Sequence, residues 1–149
     1  MQLAQLNLVI RLAGEQRDEA AQRLAAGRQQ WQGANQQLEQ LQNYQRQYVG
    51  QVQRESQQGI AVQNLVEGRR FIAELEGLIA TQQQTVEQQE ANLQVLTEQW
   101  VAASQYLNAV ERLKDSRLRE QQQSAERREQ QLVDDLYSVQ QTLRQVAAR

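Results

Sequence analysis

The side chains that most often carry out chemistry are missing from this chain, which contains no Cys and no His. Without them it cannot form a disulfide, a thiol nucleophile, an imidazole base or a zinc finger. Paired carboxylates such as Asp134 and Asp135 could serve as an acid and a base if they lay in a pocket. The surrounding sequence instead predicts an open helix surface, where a solvated role is expected. We therefore predict no enzyme activity, no metal site and no cofactor.

Apolar residues recur at spacings of three and four along most of the chain, which is typical of coiled-coil helices. The pattern keeps its phase from Leu3 to Val52 and resumes from Leu65 to Val110. The positions that interrupt the two segments are Arg17, Gly27, Gln45, Gly68, Gln82 and Gln89. The chain has no Pro and is rich in Gln, Ala, Leu, Glu and Arg, which all favour helix. The predicted fold class is therefore all-α.

The two apolar segments are separated by a stretch from Arg54 to Asn64 that has lost the phase and contains Gly59, a typical helix stop. We predict one domain, a long antiparallel coiled-coil hairpin over residues 1–149. Helix 1 is expected at about 2–56, the turn at about 57–63 and helix 2 at about 64–147, the longer helix overhanging at its C-terminal end.

The axial register follows from matching large residues against small ones across the hairpin. If the numbers of paired residues add up to 120, the turn centres on Ile60. Gly27 then faces Leu93, and Ala20 faces Trp100. In that register the residues beyond Arg119 have no partner within the chain.

The seam of the hairpin is the line of residues, spaced by three and four, along which the two helices meet. Near the turn, one side of the predicted hairpin carries more apolar residues than this seam requires. We predict a docking patch there, formed by Gln37, Leu41, Tyr44, Tyr48, Phe71, Leu75 and Leu78. Exposed aromatic residues on a rigid element are typical anchors of protein interfaces. Alternatively, these residues simply widen a thin core. The same alternative applies to Val9, Tyr106 and Leu113 near the open end.

The end of the second helix carries a separate apolar stripe. It consists of Leu132, Leu136, Val139, Leu143 and Val146. Before it lies a mostly charged stretch from Glu111 to Glu120. Val110, Lys114 and Leu118 are spaced by four and four residues there, which predicts a break in the seven-residue repeat of three and four. Nothing in the chain is expected to cover this stripe, so it predicts a partner.

Charge and hydropathy exclude two classes of partner. The net charge is −2 with both signs mixed, which argues against a nucleic-acid surface. No apolar run approaches the ~20 residues needed to span a membrane, and the amphipathic N-terminal segment does not fit a signal peptide. We therefore expect a soluble, cytoplasmic protein without direct membrane insertion.

The run from Leu38 to Tyr48, followed by Gly59 and by Phe71-Ile72-Ala73-Glu74-Leu75-Glu76, resembles the flagellar export protein FliJ family. The similarity covers nearly the whole chain. The resemblance implies a non-catalytic stalk of the flagellar type III export apparatus, peripheral to the inner membrane at the flagellar base. It also implies three partners, namely the hexameric export ATPase, the cytoplasmic domain of the export-gate protein and export chaperones.

Site residues also follow from the resemblance. The family's gate-docking cluster falls on the seven predicted patch residues and on Gln82, which the resemblance adds to give eight patch residues. Leu78 and Gln82 stand where the family has a small residue and a His. The resemblance implies that the terminal end fills the ATPase pore. The residues of that end are Leu3, Leu6, Val9, Leu132, Leu136, Val139 and Leu143.

Two alternatives remain open at the level of sequence. The chain could be the equivalent stalk of a virulence-type secretion system, or a self-associating coiled-coil scaffold or holdase. A stalk is expected to be monomeric when free, whereas a scaffold would form dimers or larger assemblies.

Overall fold

The computed structural model describes residues 2–59 and 61–149 of the chain. Its elements are helix α1, Leu3–Gln57, and helix α2, Val62–Ala147, and no strand occurs in the described ranges. The all-α prediction is confirmed. Both helices contribute to two compact units, of which one is Gln16–Ala103 and the other joins the residues up to Glu15 with Ser104–Arg149.

Helix α1 ends where the sequence predicts a stop. Gly59 has a φ of +78°, in the left-handed region that favours glycine. Its N–H donates to the carbonyl oxygen of Ser56 at 3.4 Å, and the N–H of Gln58 donates to the carbonyl oxygens of Arg54 and Glu55, both at 3.2 Å. These bonds satisfy carbonyl groups that the end of a helix leaves free. The predicted turn centre, Ile60, lies outside the described residues.

The two helices begin differently. At the start of α1 the backbone N–H of Gln2 donates to Oε1 of Gln5 at 3.1 Å, which resembles half of a capping box. At the start of α2 the N–H of Asn64 donates to the backbone carbonyl of Ala61 at 3.0 Å. Ala61 has no side-chain acceptor for the first N–H groups, so α2 lacks an N-cap from this residue.

Replacing Ala61 by Asp should therefore stabilise the protein. The new carboxylate can accept the N–H of Val62, Gln63 or Asn64, and such a cap contributes about 1 kcal/mol. Thermal unfolding followed by circular dichroism would show a higher melting temperature. The matched control is Ala73→Asp, at an exposed position inside α2, which should lower it slightly. An unchanged or lower melting temperature for Ala61→Asp would contradict this account of the helix start.

The three-four spacing of the apolar residues predicts well which side chains are buried. Every apolar residue assigned to a seam position in either segment is buried or half-buried, apart from Trp100. The side chain of Trp100 is 37% exposed and lines a surface groove with Leu24 and Arg28. An indole is larger than the surface that one seam position of two helices can cover, so part of the ring remains in solvent.

The predicted register is confirmed within Gln16–Ala103. A Cβ atom placed on Gly27 would lie 3.8 Å from Cδ1 of Leu93 and 2.5 Å from Cδ1 of Leu96. Nearer the turn, a Cβ on Gly68 would lie 3.0 Å from Cγ2 of Val52, a pair whose numbers also add up to 120. Since contacts nearer the N-terminus of α1 fall nearer the C-terminus of α2, the helices are antiparallel.

Polar seam positions behave in two ways. Gln82 crosses the helix pair, because its Nε2 donates to the backbone carbonyl of Ala34 at 2.8 Å and to Oε1 of Gln37 at 3.3 Å. Oε1 of Gln89, by contrast, is buried and has no hydrogen-bond partner. A buried polar atom without a partner costs free energy, so Gln89 weakens its layer while Gln82 helps to fix the register.

The predicted heptad break after Val110 was wrong. In the unit that contains Ser104–Arg149, Lys114 and Arg117 are half-buried and continue the three-four spacing, whereas Leu118 is 43% exposed. Long basic side chains can lay their methylene stems on apolar surface and keep their charge in water. The seam therefore continues to Arg117 through residues that an apolar pattern does not detect.

Candidate functional site

Three aromatic rings join the two helices near the turn. Tyr44 and Tyr48 of α1 stack with ring centroids 6.4 Å apart, and Phe71 of α2 meets them edge-on at 6.3 Å and 4.8 Å. Edge-to-face pairs at these distances are favourable beyond the area they bury. The rings therefore form one rigid cluster across the helix pair, as the predicted register requires.

The eight patch residues differ in how much surface they present. Tyr44 is 50% exposed and Leu78 is 56% exposed, and Gln37 is exposed as well. The half-buried members are Leu41, Tyr48, Phe71 and Gln82. Leu75 is only 3% exposed, because its seam position faces α1. Leu75 is therefore the least accessible of the predicted patch residues, and its side chain lies in the core beneath the patch.

A shallow groove of about 500 Å³ runs beside the aromatic cluster. It is lined by Gln37, Gln40, Leu41, Tyr44 and Gln82. The hydrogen bonds that the side-chain amide of Gln82 donates to Ala34 and Gln37 hold one wall of the groove in place. Gln40 was not predicted, since a polar residue in a Gln-rich chain gives no signal. Its spacing from Gln37 and Tyr44 by three and four residues is the pattern that places it on the same face.

The predicted residues of the terminal end fall into two groups. Leu6 is 1% exposed and Leu3 and Val9 are half-buried, so the start of α1 is packed. The tail stripe is uncovered, with side chains 56–65% exposed: Leu132, Leu136, Val139, Leu143 and Val146. Every residue from 118 to 149 is exposed. Leu6 is therefore a core residue, and the accessible apolar surface of this unit is mainly the tail.

Other exposed apolar residues lie in the unit formed by the chain start and Ser104–Arg149. Tyr106 is 52% exposed and Leu113 is 40% exposed, so these side chains are only partly covered and do not simply extend the core. Leu8 and Leu12 are also about half exposed, at 48% and 47%. They lie outside the seam and its apolar edge, so the apolar spacing gives no signal for them.

The paired carboxylates of the sequence lie on an open helix surface. Asp134 and Asp135 are both exposed, and Oδ1 of Asp134 accepts a bond from Nε2 of Gln130 at 3.4 Å. Across residues 2–59 and 61–149 no group of three or more acidic side chains could hold a metal ion. Neither α1 nor α2, over the same residues, has a stretch apolar and long enough to cross a membrane.

Comparison with known families matches the chain to a family described as flagellar FliJ protein, over residues 1–146. The chain belongs to the FliJ family. Comparison with curated proteins and with solved structures gives no match. FliJ proteins are non-catalytic structural components of flagellar protein export, so membership assigns the chain to that process. The match confirms the predicted family and favours the flagellar system over the virulence-type alternative.

Proposed function

We propose that this FliJ-family chain is a non-catalytic stalk that couples the hexameric export ATPase to the export gate. The observation that supports this most strongly is that each compact unit leaves an apolar surface uncovered. The patch around Tyr44 lies in Gln16–Ala103, and the tail stripe around Leu136 lies in the other unit. Two separate uncovered surfaces suit a protein that holds two partners.

The patch is the proposed contact for the cytoplasmic domain of the export-gate protein. Its exposed anchors are Tyr44 and Leu78. The ring of Tyr48 stacks on Tyr44, and the ring of Phe71 meets both tyrosines edge-on. Aromatic residues that are already held in place lose little conformational entropy on binding. The eight residues carried over from the family therefore act as one surface, with Leu75 as its buried support.

The tail is the proposed contact for the ATPase pore. A single helix without tertiary contacts is marginally stable in water, and every residue from 118 to 149 is exposed. Enclosure in a pore would cover Leu132, Leu136, Val139 and Leu143 and would stabilise the helix. Leu3 and Val9 are half-buried and would lie near the mouth of the pore, with Leu6 in the core.

Chaperone binding and location complete the proposal. We propose that the chain also escorts export chaperones, and that it acts on the cytoplasmic side of the inner membrane at the flagellar base. It hydrolyses no nucleotide itself. Its mechanical role rests on the packing of α1 against α2 within each unit, since a packed helix pair resists bending better than one helix does.

Introducing charge into the tail stripe should abolish the effect on the ATPase. The wild-type chain is expected to promote ATPase hexamer assembly and to raise ATP hydrolysis. Leu136→Asp combined with Leu143→Asp should remove both effects, because two carboxylates would be buried without partners. The control is Gln141→Asp with Gln145→Asp, which adds the same charge off the stripe and should retain both effects. If the wild-type chain changes neither assembly nor hydrolysis, the ATPase proposal fails.

Sedimentation velocity separates the stalk from the self-associating scaffold. A stalk should sediment as a monomer over a wide concentration range. A dimer that persists on dilution would favour the scaffold, and the tail stripe would then be the first surface to test.

A further inference from the structure

A second groove lies near the turn, on the side of the helix pair away from the docking patch. With Leu24 and Leu65 at heptad position a, the patch residues Tyr44, Phe71 and Leu78 fall at position g. Val49 and Arg69 fall at position e, which lies on the opposite side of an antiparallel helix pair. The floor of the groove is formed by Val49 and Val52 of α1 and by Leu65 and Ile72 of α2. Arg69 forms part of its wall.

The seam is incompletely covered at this groove. All four floor residues are half-buried, whereas Ala20 and Leu75 in the same unit are only 3% exposed. The first turns of α2 add further apolar surface, since Val62 is 75% exposed and Val66 is 60% exposed. Val62, Val66 and Arg69 are spaced by four and three residues and so lie on one face of α2. Apolar surface thus continues outward from the floor and ends beside a cation.

The charge around the groove differs from that of the whole chain. Residues 46–59 and 61–72 contain four Arg and two Glu, a net charge of +2, whereas the chain carries −2. Arg69 has no ion-pair partner within the part of the chain that the structure describes. Glu55 accepts a bond from Gln51 at 3.3 Å and leaves Arg69 unpaired. A partner that covers this surface should therefore bring carboxylates.

We propose that this groove, the turn groove, is a second docking site that binds an amphipathic helix with acidic residues along its flank. The apolar face of that helix covers Val49, Val62 and Val66, and one carboxylate pairs with Arg69. Because the turn groove and the Tyr44 patch lie on opposite sides of the helix pair, both can be occupied at once. This site does not depend on the identity of the gate or the ATPase.

A pair of synthetic peptides tests the turn groove on the full chain. Both carry Leu at helical spacing, and one has Glu on the flanking positions where the other has Lys. Methyl NMR titration should show the Glu peptide shifting the signals of Val49, Val62 and Val66. The Lys peptide should bind at least about fivefold more weakly, because it brings a cation to Arg69. Equal affinity for the two peptides, or shifts confined to Leu41 and Leu78, would overturn the proposal.

Charge reversal gives the matched comparison. Arg69→Glu should weaken the Glu peptide at least about fivefold and strengthen the Lys peptide. Arg70→Glu makes the same change one residue away, outside the groove, and should alter either affinity by less than about twofold. Equal losses from both variants would show that only net charge matters. Concentration-dependent dimerisation that blocks the same valine signals without peptide would also overturn the proposal, since a second copy would then be the occupant.

Discussion

Replacing Gly27 by Leu should lower the free energy of unfolding by about 1–3 kcal/mol. On helix propensity alone the change would be stabilising by nearly 1 kcal/mol. Packing reverses the sign, because even a Cβ at this position would lie 2.5 Å from Cδ1 of Leu96. Leu96 can rotate away from a single methyl group, but it cannot make room for a whole leucine side chain between two packed helices. Urea unfolding followed by circular dichroism measures the change.

The matched control for this packing contact is Gly33→Leu. Gly33 is exposed, and a Cβ placed there meets nothing within 4 Å. The control should therefore raise the free energy of unfolding by about 0.5–1 kcal/mol, as expected for a better helix former. If Gly27→Leu stabilised the protein as much as the control does, the close approach of the helices at Leu96 would be wrong.

Removing two rings from the patch should weaken binding to the export gate by about 100-fold. Tyr44→Ala removes an exposed anchor and Phe71→Ala removes the ring that supports it. Hot-spot rings of this kind each contribute about 2 kcal/mol or more, although not additively. Isothermal titration calorimetry with the cytoplasmic domain of the gate protein measures the affinity. Helicity should hardly change, because Tyr44 is 50% exposed and Phe71 is half-buried.

Tyr106→Ala serves as the control for loss of an exposed ring. Tyr106 is 52% exposed, much like Tyr44, but belongs to the other compact unit. Its removal should leave gate affinity unchanged. A large fall in melting temperature for the patch variant, with gate affinity little altered, would show that the rings serve the core instead.

Much of the fold could be predicted because a two-helix seam has few degrees of freedom. Once Leu24, Gly27 and Leu93 occupy seam positions, only one register sets glycine against leucine there and leaves Gly59 in the turn. The period of the apolar residues fixes which side chains are buried, and the glycines fix the axial position.

The parts that could not be predicted depend on side chains that are only partly apolar. Lys114 and Arg117 extend the seam through their methylene stems, which a pattern of apolar residues does not register. Trp100 is too large for its layer and remains 37% exposed. The turn groove was not predicted either, because burial of its floor depends on how closely the helices approach and not on the period of the sequence.

The extent to which each patch side chain is buried could not be predicted from the sequence either. Leu75 and Tyr48 take equivalent seam positions in the predicted pattern, yet Leu75 is buried and Tyr48 is half-buried. A long ring reaches past the seam to the surface, whereas a leucine at an equivalent position does not. Residue size, and not heptad position alone, decides which members of the patch can touch a partner.

A stalk must hold the export ATPase and the export gate at the same time. Co-sedimentation of the ATPase hexamer with the cytoplasmic domain of the gate protein, with and without this chain, measures whether it does. We expect the gate domain to sediment with the hexamer only when the chain is present, and to be lost with the Tyr44→Ala, Phe71→Ala variant while that variant stays bound to the hexamer. Displacement of the chain from the ATPase by the gate domain would contradict the account.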